Sequence, residues 1–179
     1  RITYRVPQTQ KERDAIGRLR HTCYVREGAI DPKPSGILWD DLDDAPNCAV
    51  LGVFLDGRLV ASMRSHKVTI GAPSPAMQIY ADCLEPHIAA GTIVSDPTRF
   101  VVDADVSRDH PVVTYATARI GWITSRHFGA RFGIATVRRE HKAFYKRLLG
   151  FADIAGPRRY PLLKSDIYLV GRDYDGVVS

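Results

Sequence analysis

Asp56-Gly57 stands between two apolar, strand-like runs, Ala49–Leu55 and Arg58–Val68. A two-residue link of this type closes a tight hairpin, because its turn needs the positive φ that Asp and Gly tolerate. The chain is therefore expected to build an antiparallel sheet, whose apolar face must be covered by other elements. Thr9-Gln-Lys-Glu12 has the form of a capping box, and Ile16, Leu19 and Cys23 mark the apolar face of a helix that follows it. From Pro111 to Phe128, residues Ala116, Ile120, Ile123 and His127 recur at spacings of four, three and four, and Gly129 suits a C-cap. Ile2–Val6, Thr92–Asp103, Ile134–Val137 and Ile167–Val170 read as further strands. Met77–Ala90 reads as a short helix, and Glu140–Leu149 as another closed by Gly150. The expectation is an α/β (α+β) chain with one mixed sheet and helices packed on it.

The 179 residues suit a single domain over 1–179. The polar stretch 26–47, broken by Pro32, Pro34 and Gly36, is expected to be a long loop or lid. No apolar run approaches the roughly 18–20 residues of a membrane span. Cys23, Cys48 and Cys83 show no ligand or pairing motif and read as core thiols of a cytoplasmic protein. The six histidines are scattered without ligand spacing, so no metal site is expected. The net charge of +5 is uneven: Ser107–Lys164 holds twelve Lys/Arg against three Asp/Glu. Such a basic half points to an acidic partner, whether nucleic acid, phosphorylated cofactor or acidic protein.

Trp39-Asp-Asp-Leu-Asp-Asp44 packs four carboxylates into five residues, which need cations or open water. Arg64 lies inside an apolar strand run, and Arg99 lies between Thr98 and Phe100-Val-Val102. An unpaired guanidinium buried there would be costly, so an ion-pair network with Asp40 and Asp43 is expected. Asp96 and Arg99 are three apart and would face opposite ways along a strand unless a bulge intervenes. At such a break the Asp96 carboxylate is a candidate general base for an attacking amine. In Arg138-Arg-Glu-His-Lys-Ala-Phe-Tyr145, His141 and Tyr145 share a helix face, and the tyrosine is a candidate proton donor.

These residues resemble the autoinducer-synthase-like branch of the acetyltransferase-like (GNAT) superfamily, which holds acyl-homoserine-lactone synthases and long-chain N-acyl amino acid synthases. Asp40-Asp-Leu-Asp43 is similar to that branch's Asp-x-x-Asp pair, and Arg64 falls at its strand arginine. Asp96-Pro-Thr-Arg99-Phe100 is similar to its Glu-x-x-Ser-Arg-Phe element, and Arg20 to an arginine on the first helix. Asp-Asp-Ala-Pro-Asn47, Asp56-Gly-Arg-Leu-Val-Ala-Ser-Met-Arg64 and Glu140-His-x-x-Phe-Tyr145 are nearer to the N-acyl amino acid synthases.

The resemblance implies a single GNAT-like domain with helices on both faces of the sheet. It implies aminolysis of a fatty acyl thioester by an amino acid, with no tightly bound cofactor. Asp96 would be the base, with Glu140, His141 and Tyr145 as further catalytic candidates. Arg20, Asp40, Asp43, Arg64 and Arg99 would shape the substrate site. The superfamily's glycine-rich pyrophosphate turn before the long helix is replaced here by Asp105-Val-Ser-Arg-Asp-His110. This favours an acyl carrier protein over coenzyme A as the phosphopantetheine donor, with Arg138, Arg139 and Lys142 meeting the carrier. Tyr145 is followed by four residues before Gly150-Phe151, one more than is common in the superfamily. The runner-up is a lactone synthase acting on S-adenosylmethionine. A basic nucleic-acid module is the non-catalytic alternative, but no recognition helix or aromatic RNA-binding motif supports nucleic acid as a partner.

Overall fold

The computed structural model describes residues 1–174. Strand β1 (Ile2–Arg5) leads to helix α1 (Gln10–Arg26), and β2 (Cys48–Leu55) and β3 (Arg58–Val68) form the expected hairpin. The chain continues through α2 (Pro75–Ala89), β4 (Val94–Val102), α3 (Ala104–Asp109), α4 (Val112–Phe128) and β5 (Phe132–Val137). A 3-10 turn (Arg139–His141), α5 (Lys142–Leu149), β6 (Ala152–Arg158) and β7 (Ile167–Asp173) complete it. One seven-stranded sheet runs β1-β2-β3-β4-β5-β7-β6, antiparallel except where β4 meets β5.

Local chemistry explains most of the boundaries. Thr9 Oγ1 accepts from the Glu12 N–H while Glu12 accepts from the Thr9 N–H, so the capping box is closed. Gly129 and Gly150 end α4 and α5 with φ of 67° and 66°. Ser74 caps α2 with Pro75 in its first turn, which moves that helix start two residues ahead of the expected Met77.

Helices cover both faces. Tyr80, Leu84 and Ile88 of α2 pack on Val68, Val94, Ile134 and Leu169. On the other face Val113 and Ile120 of α4 pack with Val53, Ala61 and Met63. Tyr145 and Leu149 of α5 lie on Ala135 and Val170. Alternation along β7, with Leu169 to one side and Val170 to the other, shows that the sheet is buried on both faces there.

Two elements escape the sequence reading. The stretch Asp105–His110 is mostly helix: Asp103 Oδ1 accepts from the N–H groups of Asp105 and Val106 and starts α3. Strand β6 is a largely exposed edge carrying Gly156-Pro157, so it shows no alternation, and its pairing with β7 alone makes it a strand. Arg158 forms a two-point pair with Asp82 at 2.6 and 2.9 Å and lies over Tyr80.

Candidate active site

The parallel partners β4 and β5 are matched only at Val94–Phe132 and Ser95–Gly133. Beyond that point they diverge, and a cavity of about 450 Å³ opens between them. Thr98 pairs with Arg64 and Val101 with Ser62, so β4 carries one extra residue opposite Met63. That residue is Arg99, with φ of 55°, a left-handed conformation rare outside glycine. The bulge removes it from the ladder and returns its side chain to the face that carries Thr98. The conditional reading of Asp96 and Arg99 is thereby resolved, because a bulge does intervene.

The acidic loop supplies the partners for the strand arginines. Asp40 accepts from Arg64 Nη1 through Oδ1 at 2.6 Å and from Arg99 Nη2 through Oδ2 at 2.9 Å. Asp43 Oδ1 accepts from Arg20 Nη1 at 2.6 Å, and Asp43 Oδ2 lies 3.0 Å from Arg64 Nη1. Arg64 Nε also donates to Thr98 Oγ1 at 3.0 Å. Burial alone would raise the Asp40 carboxyl, but Arg64 and Arg99 outweigh it and hold that group well below the usual carboxylate range.

The loop is seated by backbone as well as by charge. Gly17 of α1 accepts from the Leu38 N–H at 3.0 Å, and a Cβ there would come within 2.6 Å of Ile37. Only glycine allows so close an approach. His66 Nε2 donates to the Leu42 carbonyl at 2.8 Å, between the two aspartates. Three guanidinium groups thus meet two carboxylates, which leaves one positive charge surplus. Arg64 and Arg99 line the cavity, and the Arg99 guanidinium lies 5.5 Å from the Tyr24 ring.

The remaining predicted residues divide. Tyr145, His141 and Arg138 line the cavity. Burial pushes the Tyr145 hydroxyl up to about 12, so it stays protonated. Arg138 donates to Glu27 at 2.6 Å and to His141 Nε2 at 3.0 Å. A guanidinium can only donate, so His141 Nε2 is the acceptor and Nδ1 carries the proton. Glu140 is outside the lining and supports Arg138 at 3.1 Å. Lys142 is paired with Asp153 at 2.9 Å and lies 4.4 Å from the Tyr168 ring centre. Of the carrier trio, Arg139 is the one exposed on this turn, and it makes no ion pair among the described residues.

Asp96 is not part of the cavity lining. It is wholly buried, and its Oδ2 accepts from the Ala76 N–H at the start of α2 at 2.9 Å. Burial raises its proton affinity, while the Ala76 N–H and His66 oppose that shift. The sequence reading missed Tyr24, Glu27 and Tyr160, all of which line the cavity. Tyr24 and Glu27 are one helical turn apart at the end of α1, a spacing visible in the sequence but without a partner to mark it.

A second, smaller cavity of about 220 Å³ lies behind the first and shares Pro97, Phe100, Phe144 and Tyr145 with it. Its own wall is largely apolar and includes Met63, Trp122, Leu148 and Phe151. Gly121 faces it from α4, with the site of a Cβ 3.6 Å from Pro97.

Among the described residues no group of three or more His, Cys, Asp and Glu is placed to hold a metal ion. No helix among them is long and apolar enough to cross a membrane.

The sequence profile of the family described as N-acyl amino acid synthase FeeM matches residues 15–173. No protein of curated function matches the chain by sequence. Among solved structures, FeeM, an N-acyl amino acid synthase from uncultured soil microbes, superposes with a TM-score of 0.80 at 20% identity. That match covers 97% of this chain and 91% of the other. An acyl-CoA N-acyltransferase from Pseudomonas aeruginosa gives 0.64 at 16% identity, covering 96% and 98%. BjaI, a CoA-dependent acyl-homoserine lactone synthase solved with SAM and isopentyl-CoA, gives 0.60 at 19% identity, covering 89% and 74%. These likenesses bear on the fold, and the profile match bears on the family.

Proposed function

The chain belongs to the family of the N-acyl amino acid synthase FeeM, and we propose that it moves a fatty acyl group from an acyl carrier protein thioester to the amine of an amino acid. The observation that carries this reading is the surplus guanidinium charge beside the bulge: Arg20, Arg64 and Arg99 against Asp40 and Asp43. A buried cluster with a net positive charge beside a cavity favours an anion, and a planar guanidinium suits the carboxylate of an amino acid. Arg99 is the better-placed holder, since Asp40 occupies one of its terminal nitrogens and Arg64 is tied to both aspartates and Thr98.

The thioester carbonyl would sit at the β4 bulge, where backbone N–H groups outside the ladder can stabilise the oxyanion. Attack by the amine forms the C–N bond, and collapse breaks the C–S bond. Tyr145, protonated at neutral pH, would then give its proton to the departing thiolate. The fatty chain would extend past Phe100 and Phe144 into the apolar second cavity. Asp96 would act from behind the wall, holding the start of α2 so that Pro75 stays at the cavity surface.

Two features favour a carrier protein as donor. Before α4 the chain forms α3, and the Val113 and Thr114 N–H groups donate to His110 and Pro111, which uses donors a pyrophosphate would need. Arg139 and Arg147 are exposed on the basic edge formed by the turn and α5, and suit an acidic protein surface. The lactone-synthase reading is favoured by one observation, that the Asp40, Asp43, Arg64 and Arg99 cluster is also the element resembling that branch.

Mass spectrometry of lipids from a bacterial culture expressing the chain tests both. N-acyl amino acids absent from a culture expressing Arg99→Ala support the proposal. Acyl-homoserine lactones would replace it with the runner-up.

A further inference from the structure

An amino acid reaches an enzyme at neutral pH mainly as the ammonium form, so a group at the cavity must take one proton before the nitrogen can attack. Several groups that could do so are already committed. Both Asp40 oxygens are held by arginines. The His141 Nε2 lone pair accepts from Arg138, and Tyr145 carries its own proton. Asp96 is buried outside the lining.

Glu27 is the one carboxylate among the described residues that line the cavity. It sits at the end of α1, whose last turn runs along the second half of β4. The Cys23 thiol lies 3.6 Å from the Val102 carbonyl, the Arg99 guanidinium lies 5.5 Å from the Tyr24 ring, and Arg26 reaches Asp105 at 3.4 Å. Tyr24 and Glu27 are three residues apart on that turn and so are surface neighbours. From there Glu27 Oε2 accepts from Arg138 at the far end of β5 at 2.6 Å, so its carboxylate spans the gap where β4 and β5 part. Its other oxygen, Oε1, makes no hydrogen bond or ion pair among the described residues. An amino acid whose carboxylate rests on Arg99 has its amine one carbon away, within the cavity that Tyr24 and Glu27 also line.

We propose that Glu27 is the general base of the acyl transfer, taking the proton of the substrate ammonium. This rests on the N-acyltransferase reading above. The ammonium gives one proton to Glu27, and the neutral amine attacks the thioester carbon at the bulge. The C–S bond breaks, and the thiolate takes the proton of Tyr145. The second proton of the nitrogen returns to Tyr145 as the amide forms, and Glu27 releases its proton to water. Arg138, His141 and Glu140 face Glu27 from the β5 end and the turn, while Tyr24, Cys23 and Arg26 face it from its own helix. Arg138 holds the carboxylate in place in this arrangement.

The test compares wild type, Glu27→Gln and Asp96→Asn, with a fatty acyl thioester of acyl carrier protein and each of the twenty amino acids in turn. Release of the carrier thiol and thermal unfolding are both followed. Glu27→Gln keeps an oxygen for Arg138 and removes the base. The expected result is a fall in kcat of about 10²–10⁴-fold with an unchanged unfolding temperature. The residual rate should climb with pH as more of the amine is free. Hydroxylamine, which is already neutral at the working pH, should react at similar rates with wild type and variant. Equal loss with the amino acid and with hydroxylamine marks a structural role and overturns the proposal. So does a normal Glu27→Gln beside an inactive Asp96→Asn. A wild-type protein that makes no amide with any amino acid overturns the broader functional reading instead.

Discussion

Arg64 and Asp43 meet at 3.0 Å with each side chain only 1% exposed. Neither charge can turn to water, so each depends on the other, and Asp43 also neutralises Arg20 at 2.6 Å. Removing one partner of such a pair leaves the other stranded, typically at a cost of about 3–5 kcal/mol. Arg64→Ala should lose roughly that much in urea unfolding, while Arg18→Ala, on the exposed side of α1, should change little. Equal midpoints for the two variants would show that the network does not hold the lid.

Acid should act on the same cluster through Asp40. Its folded-state carboxyl is held low: burial opposes ionisation, but Arg64 and then Arg99 favour it more strongly. A depressed folded value means that the stabilising contribution is present above the unfolded carboxyl value, about 3.9. It is lost as pH falls below that value towards the folded one. Wild-type melting temperature should therefore drop steeply below about pH 4. Asp40→Asn should melt lower at neutral pH and show a shallower acid decline. Parallel curves would exclude Asp40 as a source of the acid sensitivity.

If Arg99 holds the acceptor carboxylate, its loss should be felt by amino acids and not by simple amines. Hydrogen bonds to charged groups contribute about 1.5–3 kcal/mol, so kcat/KM for the amino acid should fall roughly 10–150-fold in Arg99→Gln. The rate with a decarboxylated analogue should be nearly the same in both proteins. Arg99→Lys should not restore activity, because an ammonium lacks the planar two-point fit. Similar losses for both acceptors would mean that Arg99 serves the bulge and not the carboxylate.

The carrier trio should separate on mutation. Arg138 is tied to Glu27 and Glu140, and Lys142 to Asp153, so reversing either breaks internal contacts. Arg139 is exposed on the turn between them, so Arg139→Glu should raise KM for the carrier thioester and flatten its salt dependence without lowering stability. A coenzyme A thioester should show no such change. An unaltered carrier KM in Arg139→Glu would move the docking face elsewhere.

Much of the architecture is written in local chemistry. Asp56-Gly57 specifies its hairpin, Thr9 and Glu12 specify the start of α1, and Gly129 and Gly150 specify two helix ends, because each depends on backbone geometry within a few residues. The arginine–aspartate network was equally legible, since a guanidinium in an apolar strand needs a counter-charge wherever the chain goes. Strand β6 was not, because an exposed edge has no buried face to impose a pattern, and only pairing with β7 orders it.

The sequence by itself determined which charges must be paired; only the tertiary structure decided which of them line the cavity. Asp96 reads as a carboxylate at a break in a strand, yet the packing of α2 turns it into a buried acceptor for the Ala76 N–H. Glu27 carries no local mark, because its cavity exists only where β4 and β5 part and its partner Arg138 is 111 residues away. Pairing rules act on charge and burial, which a strand's own residues reveal. Access to a cavity depends on how distant strands diverge, a property that belongs to no single segment.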